Sequence, residues 1–304
     1  MHESPDESPD WSGDWSGDLP GGRSGDRSGD GGAAERRRRF AEEVRSERPD
    51  LALLCLLVGA EADPALGEGG EDEAQIELDR LAGLLPFGLA TPPAWASALA
   101  ALLGGQCDFR GSPADYQRLE SSLLHEVLRR RRGLPILLSV VWIEVARRAG
   151  APVYGVALPG HFVVGFGAPH EQILADPFAG GRLLTGADTE LLVAGATGAP
   201  LDPSMLTPAD PLEIMVRILN NIRAWAAARP ERTDVALWAV ELSLLLPSHP
   251  ARLRYERAQL LVERGEFLAG AAELDAYADV VAAVEPTTAA AIRGRARAAR
   301  AMLN

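Results

Sequence analysis

His161 and Asp176 are the two residues of this sequence best suited to carry chemistry. His161 lies in Leu158-Pro159-Gly160-His161-Phe162 and Asp176 in Asp176-Pro177-Phe178. A neutral imidazole takes up a proton near pH 7, and a carboxylate beside it fixes its tautomer and steadies the imidazolium. Segments 153–158, 161–166 and 172–175 are short and rich in Val, Tyr and Phe, so they read as strands. Residues 167–170 read as a hairpin turn between the last two. Centred between Ala168 and Pro169, that turn sets 161 opposite 176. Opposed side chains have Cβ atoms about 4.5–5.5 Å apart, close enough for an imidazole–carboxylate hydrogen bond. The same residues also fit a structural role, a hydrogen-bonded histidine beside a Pro-Gly turn.

A base requires a nucleophile, and the natural place for one is the start of a buried helix. Unpaired N–H groups there lower a thiol pKa and can hold an oxyanion. Ile136, Leu137, Leu138, Val140, Val141, Trp142 and Val145 make the helix starting at Pro135 apolar on most faces. It reads as central, with Gly150 just beyond its end. Its first turn offers no cysteine. The first hydroxyl is Ser139, roughly 200° around the axis from Leu137. Cys107 falls in a polar loop and Cys55 in an apolar helix, where a thiol reads as core. Two cysteines build neither a disulfide framework nor a metal cluster. His2, His125, His161, His170 and His249 show no ligand spacing, and no phosphate-binding glycine motif occurs. Neither a metal nor a cofactor is expected.

The chain has 304 residues and a formal charge of -13, a poor match to nucleic acid or anionic lipid. Every basic side chain other than histidine is arginine. This excludes Schiff-base, Walker A and kinase-type lysine chemistry within the chain. No apolar run reaches the roughly 18 residues of a membrane span, and no signal peptide is seen at the start. The expectation is a cytoplasmic protein with a protein partner, and with neither nucleic acid nor membrane.

Residues 1–34 repeat WSGD and RSGD and lack periodic apolar positions, so this acidic Gly/Ser tail is expected to be disordered. Helices are expected over 35–48, from Pro49 through 51–58, over 75–85 with Ile76, Leu78, Leu81 and Leu85 buried, and over 95–103. Residues 63–70 read as a loop. A further helix is expected over 115–132, its four closing arginines suiting the helix dipole. Beyond Asp202-Pro203, helices are expected over 211–228, 233–246, 251–264 and 267–284. Ala258, Leu261, Gly265, Gly270 or Ala271, and Leu274 have the spacing of a tetratricopeptide unit.

In order, Arg131-Arg132-Gly133-Leu134-Pro135-Ile136, Ala146-Arg147-Arg148-Ala149-Gly150, Leu158-Pro159-Gly160-His161-Phe162 and Asp176-Pro177-Phe178 with Gly180-Gly181 resemble the SirB/YchA-like family. The likeness runs from about residue 40 to near the C-terminus. It implies an α+β fold: a transglutaminase-like, papain-related core with an all-helical N-terminal lobe, then a tetratricopeptide-like helical region. The divisions expected are 1–34, 35–205 and 206–304. By position, His161 and Asp176 match the histidine and aspartate of true transglutaminases. Gly133, Pro135, Leu137, Pro159, Gly160, Phe162, Pro177 and Phe178 carry the motif around the cleft. The cysteine of those enzymes would fall near 135–137 and is absent. The family usually has serine where this chain has Leu137, and often Asn-Ser where it has Ser121-Ser122. The resulting expectation is a non-catalytic protein-binding or regulatory protein. The alternative is an amide hydrolase or acyltransferase using His161 and Asp176.

Overall fold

The computed structural model describes residues 27–169 and 171–303. The first helix, α1, spans Arg27–Glu43, so residues 27–34 of the expected tail are helical; the tail before Arg27 lies outside the described residues. Helix α2 (Leu51–Ala62) begins one residue past Asp50, whose carboxylate accepts the Leu53 N–H at 2.9 Å. Asp50 is the cap, and Pro49 stands outside the helix rather than starting it. Helix α3 (Gly67–Ala82) starts inside the segment expected to be a loop. Its inward face runs through Glu71, Ala74, Leu78 and Leu81. Ile76 sits about 200° from Leu78 on that helix and is exposed, contrary to expectation. Helix α4 (Pro92–Leu99) continues into a π-helical stretch, Ala100–Gln106.

The helix expected over 115–132 is broken. Two 3₁₀ turns, Pro113–Gln117 and Leu119–Ser122, precede α5 (Leu124–Arg130), and Arg118 and Leu123 are extended. Buried Asp115 is the reason. It accepts from the Ser112 N–H at 2.9 Å, the Ser112 hydroxyl at 2.8 Å and the Ser121 hydroxyl at 3.1 Å. Such side-chain bonds compete with the helical ladder. Arg131, at φ 59, ends α5 in the left-handed region.

Helix α6 (Pro135–Arg148) is buried over its first twelve residues and packs on the sheet, as its apolar faces require. That sheet has the order β4-β3-β2-β1-β5, every pairing antiparallel. Its strands are β1 (Val153–Val156), β2 (Val163–Phe166), β3 (Ile173–Asp176), β4 (Arg182–Leu184) and β5 (Pro208–Ala209). Phe162, Val164, Phe166 and Ala175 face the main core with α6. Val156, Leu158, Val163, Leu174 and Val193 form a second cluster on the other side, where α7 (Gly186–Thr197) lies. The 3₁₀ turn Pro177–Ala179 leads into Gly180 and Gly181, where backbone meets backbone. A Cβ at Gly104 would strike the Gly180 carbonyl, and one at Gly181 would strike Trp142 of α6. These glycines let the loop lie flat on the π-helix and the central helix.

The C-terminal helices are α8 (Pro211–Ala227), α9 (Thr233–Leu245), α10 (Arg252–Glu263), α11 (Phe267–Ala282) and α12 (Pro286–Ala301). The last was absent from the sequence-based expectation. The apolar packing does not divide at 206. Ile214, Met215, Ile218, Leu219 and Ile222 of α8, with Val235, Trp238 and Leu242 of α9, belong to the main core. A separate cluster forms only among α10–α12, through Ala258, Ala271, Leu274, Ile292 and Ala296. A chain ending at Pro247 is therefore expected to keep a cooperative thermal unfolding transition by circular dichroism. One ending at Leu206 should lose it, because the main core then loses α8 and α9.

Candidate functional site

His161 is set by the turn before it. Its N–H donates to the Leu158 carbonyl at 3.2 Å, closing a turn with Pro159 and Gly160 at the centre. Gly160 has φ 69, the value a type II turn demands at its third residue. Strand β2 starts only at Val163, and its observed partners are Val164↔Ala175, Gly165↔Leu174 and Phe166↔Ile173. The expected direct opposition of 161 and 176 is thus displaced by two residues. A two-residue displacement preserves which face each side chain takes, so the pair still meets. His161 Nε2 lies 3.0 Å from Asp176 Oδ1, with the ring 14% and the carboxylate 8% exposed. The imidazole N–H is not aligned for a hydrogen bond, so this is a close polar contact. Asp176 is also held locally: its Oδ1 accepts the Phe178 N–H at 3.0 Å, capping the turn Pro177–Ala179.

The helix start opposite carries packing. Pro135 takes the first turn of α6, and the preceding Leu134 N–H donates to the Ser121 carbonyl at 2.9 Å. Gly133 permits this approach, since a Cβ there would come within 2.7 Å of Val127 Cγ2. Leu137 is fully buried in the main core. Ser139 is also fully buried, and its hydroxyl reaches the Phe162 carbonyl at 3.4 Å rather than the imidazole. Phe162 is buried, and the Phe178 ring stands edge-on to His161 with centroids 6.1 Å apart.

The structure thus has a central helix against an antiparallel sheet, with His161 and Asp176 in contact at 3.0 Å. The profile of the Transglutaminase-like superfamily matches residues 72–220, and a Tetratricopeptide repeat profile matches residues 222–304. The chain carries a transglutaminase-like core followed by a tetratricopeptide-like helical region. It is 35% identical over 168 residues to a UPF0162 protein of Xylella fastidiosa strain Temecula1, covering 53% of this chain and 60% of that protein. A UPF0162 protein of Pseudomonas aeruginosa is 38% identical over 112 residues, 36% of this chain and 41% of that one. F-box only protein 21 of Mus musculus is 26% identical over 165 residues, 52% of this chain and 26% of that one. The chain thus spans about three fifths of the first relative's length and less of the other two. The two-part architecture is consistent with the UPF0162 proteins.

Among the described residues neither thiol hydrogen-bonds to His161. Cys55 is buried in α2, and burial pushes its thiol well above the usual range. Cys107, partly exposed, follows the π-helical stretch and lies near Arg80. The four arginines at 129–132 are individually engaged: by Glu126 at 2.6 Å, Asp115 at 3.6 Å, Glu77 at 2.7 Å and Asp108 at 2.8 Å. Among the described residues no group of three or more His, Cys, Asp or Glu side chains could hold a metal ion. No described helix is long and apolar enough to cross a membrane. His170 lies outside the described residues.

Two residues of this corner went unremarked in the sequence. Arg217 of α8 donates through Nη2 to the Leu158 and His161 carbonyls at 2.6 and 2.7 Å. Tyr116 stands edge-on to Phe178, centroids 6.0 Å apart. The one signal for Arg217 was its place beside the apolar stripe of α8; Tyr116 gave none. A cavity of about 310 Å³ lies elsewhere, in the tetratricopeptide-like region, lined by Leu244, His249, Arg254, Arg257, Glu273 and Tyr277 among others.

Asp176→Ala removes the acceptor of the Phe178 N–H and is expected to cost about 1–3 kcal/mol in urea denaturation. Asp176→Asn, which keeps an acceptor, should cost less. Iodoacetamide at pH 8 is expected to label Cys107 alone in the native protein and both cysteines after unfolding, as read by peptide mass spectrometry. The sign follows from burial: a raised thiol pKa leaves Cys55 protonated and unreactive.

Proposed function

We propose that the chain is a non-catalytic, cytoplasmic protein-binding or regulatory protein of the SirB/YchA-like kind. The observation that carries this reading is Leu137. The first turn of α6, where a transglutaminase-type nucleophile would stand, holds a fully buried leucine that is part of the main core. A side chain packed in that way supplies no nucleophile, and neither thiol of the chain is set against His161. The tetratricopeptide-like region, by contrast, offers an open groove. It combines a tyrosine, an aliphatic wall and exposed Arg254, a mixture suited to protein contacts.

A second reading keeps the His161–Asp176 contact as working chemistry. Asp176 would orient the imidazole, and Nδ1, on the far side of the ring, would activate water for amide hydrolysis or acyl transfer. The 3.0 Å contact in a largely buried corner favours it. The missing nucleophile and the polar contact's poor alignment count against it.

Two measurements separate these readings. A glutamine-bearing protein and a fluorescent amine, incubated with the purified chain, are expected to give no product above a Cys107→Ala control. In affinity capture with mass spectrometry, a partner should be retained by the intact protein and by His161→Ala. The double variant Arg254→Glu, Tyr277→Ala should lose it by about tenfold or more. Turnover that vanishes in a folded His161→Ala protein overturns the proposal and establishes the second reading.

A further inference from the structure

Arg217 is a charged side chain without a charged partner. Several half-buried arginines have a carboxylate: Arg39 has Glu71 at 2.6 Å, Arg148 has Asp79 at 2.7 Å, and Arg223 has Glu256. Arg229, like Arg217, donates only to neutral oxygens, the Trp225 carbonyl and the Gln117 carbonyl and Oε1, but to no residue of the His161 corner. Among the described residues Arg217 makes no ion pair. Its hydrogen bonds run from Nη2 to two neutral carbonyls, and its plane lies over the Phe162 ring, 5.6 Å from the centroid. Among the described residues Nε and Nη1 make no hydrogen bond, and they are not sealed from solvent. Burial pulls the Arg217 pKa below the usual arginine value, as expected for a guanidinium whose charge is uncompensated. It remains charged nonetheless, because arginine does not deprotonate in proteins.

The surroundings narrow which ligand Arg217 suits. Asp176 does not neutralise Arg217; it is engaged by His161 and by the Phe178 N–H. Tyr116 lies close enough to feel both Asp176 and Arg217. Its phenol is raised chiefly by burial, next by Asp176, with Arg217 opposing. Tyr116, Phe178 and His161 form a row of edge-on rings beside the guanidinium. Among the described residues His161 Nδ1 likewise makes no hydrogen bond, and it is not sealed from solvent. The corner therefore presents unused N–H donors next to aromatic edges. Among the described residues the corner holds one unpaired cation, Arg217, and a carboxylate, Asp176; that balance suits a monoanion better than a phosphate dianion, which Asp176 would repel more strongly. Guanidinium donors favour a carboxylate, and the aromatic row suits an apolar group attached to it.

We propose that this corner is a carboxylate-binding site, in which Arg217 holds the carboxylate of an organic acid or peptide C-terminus and Tyr116 and Phe178 pack its apolar part. The site stands apart from the tetratricopeptide-like groove and requires no reaction at His161.

The test uses the full chain and isothermal titration with N-acetylphenylalanine, its neutral amide, and inorganic phosphate. The acid is expected to bind at least tenfold more tightly than either alternative. Arg217→Gln should reduce the acid's affinity tenfold or more, to the level of the amide. Tyr116→Ala, at an exposed position, should weaken it less while leaving the thermal melt unchanged. A short peptide ending in phenylalanine, free or amidated, distinguishes the sources. Tighter binding of the free peptide than of the small acid assigns the site to peptide C-termini, and equal or weaker binding assigns it to free acids. Equal affinity for acid and amide, no binding of the acid, equal affinity for phosphate, or unchanged affinity in folded Arg217→Gln each overturns the proposal. Should Arg217→Gln unfold, the comparison of acid with amide on the unaltered chain decides.

Discussion

The core is organised around a helix with no solvent face over its first twelve residues. Every residue of α6 from Pro135 to Ala146 is buried. A helix apolar on most sides has to be covered on each of them, and the rest of the core is arranged to do so. The sheet covers one side, while α3, α5 and α8 cover others. The single acid of that buried run, Glu144, is 1% exposed and answered by Arg147 at 2.8 Å and by Arg148. Arg148 goes on to Asp79 at 2.7 Å and so fastens the end of α6 to α3. A carboxylate at that depth without its arginines would be strongly destabilising.

Covering α6 also explains where the candidate site lies. Trp142 reaches the Gly180-Gly181 loop, and that loop rests on the π-helical stretch through Gly104. The loop follows directly from Asp176 and Phe178, so the packing of the central helix fixes the height of the aspartate. On the other side, α8 covers the core with Ile214 and Ile218 and sends Arg217 beneath the turn that carries His161. Histidine, aspartate, tyrosine and arginine are thus brought together by four elements, none of which is formed by the site itself. The same packing fills the first turn of α6 with Leu137 and leaves the histidine facing no thiol.

The tetratricopeptide-like region joins the core gradually. Helices α8 and α9 contribute to the main core, and α10–α12 build their own. A chain of ion pairs crosses the join. Arg37 of α1 contacts both Glu61 of α2 and, at 2.7 Å, Glu241 of α9; Glu241 also meets Arg257 of α10 at 2.9 Å, and Arg257 meets Glu273 of α11. Glu61 and Glu241 are largely buried, so loss of one of their arginines would leave a poorly solvated charge. Together the pairs orient the groove-bearing helices relative to the N-terminal lobe. The groove and the His161 corner share no lining residue.

Local signals were enough for much of this architecture. The apolar run after Pro135 announced a buried central helix, the Pro-Gly pair announced the turn before His161, and strand composition located β1, β2 and β3. The order of motifs brought with it the transglutaminase-like core and the helical region that follows. Absences of residue type, such as lysine and a cysteine near 135–137, were also final at the level of sequence. What failed depended on side-chain bonds and packing that local periodicity does not encode. Asp115 broke a helix by accepting from Ser112 and Ser121, Ile76 was turned outward by the inward face through Leu78 and Leu81, and the hairpin register moved by two residues. Arg217 and Tyr116 gave little or no sequence signal because each is ordinary in its own segment. Sequence fixes periodicity, turns and the chemistry available; only tertiary packing decides which charges find partners, and among the described residues it left Arg217 beside His161 without one.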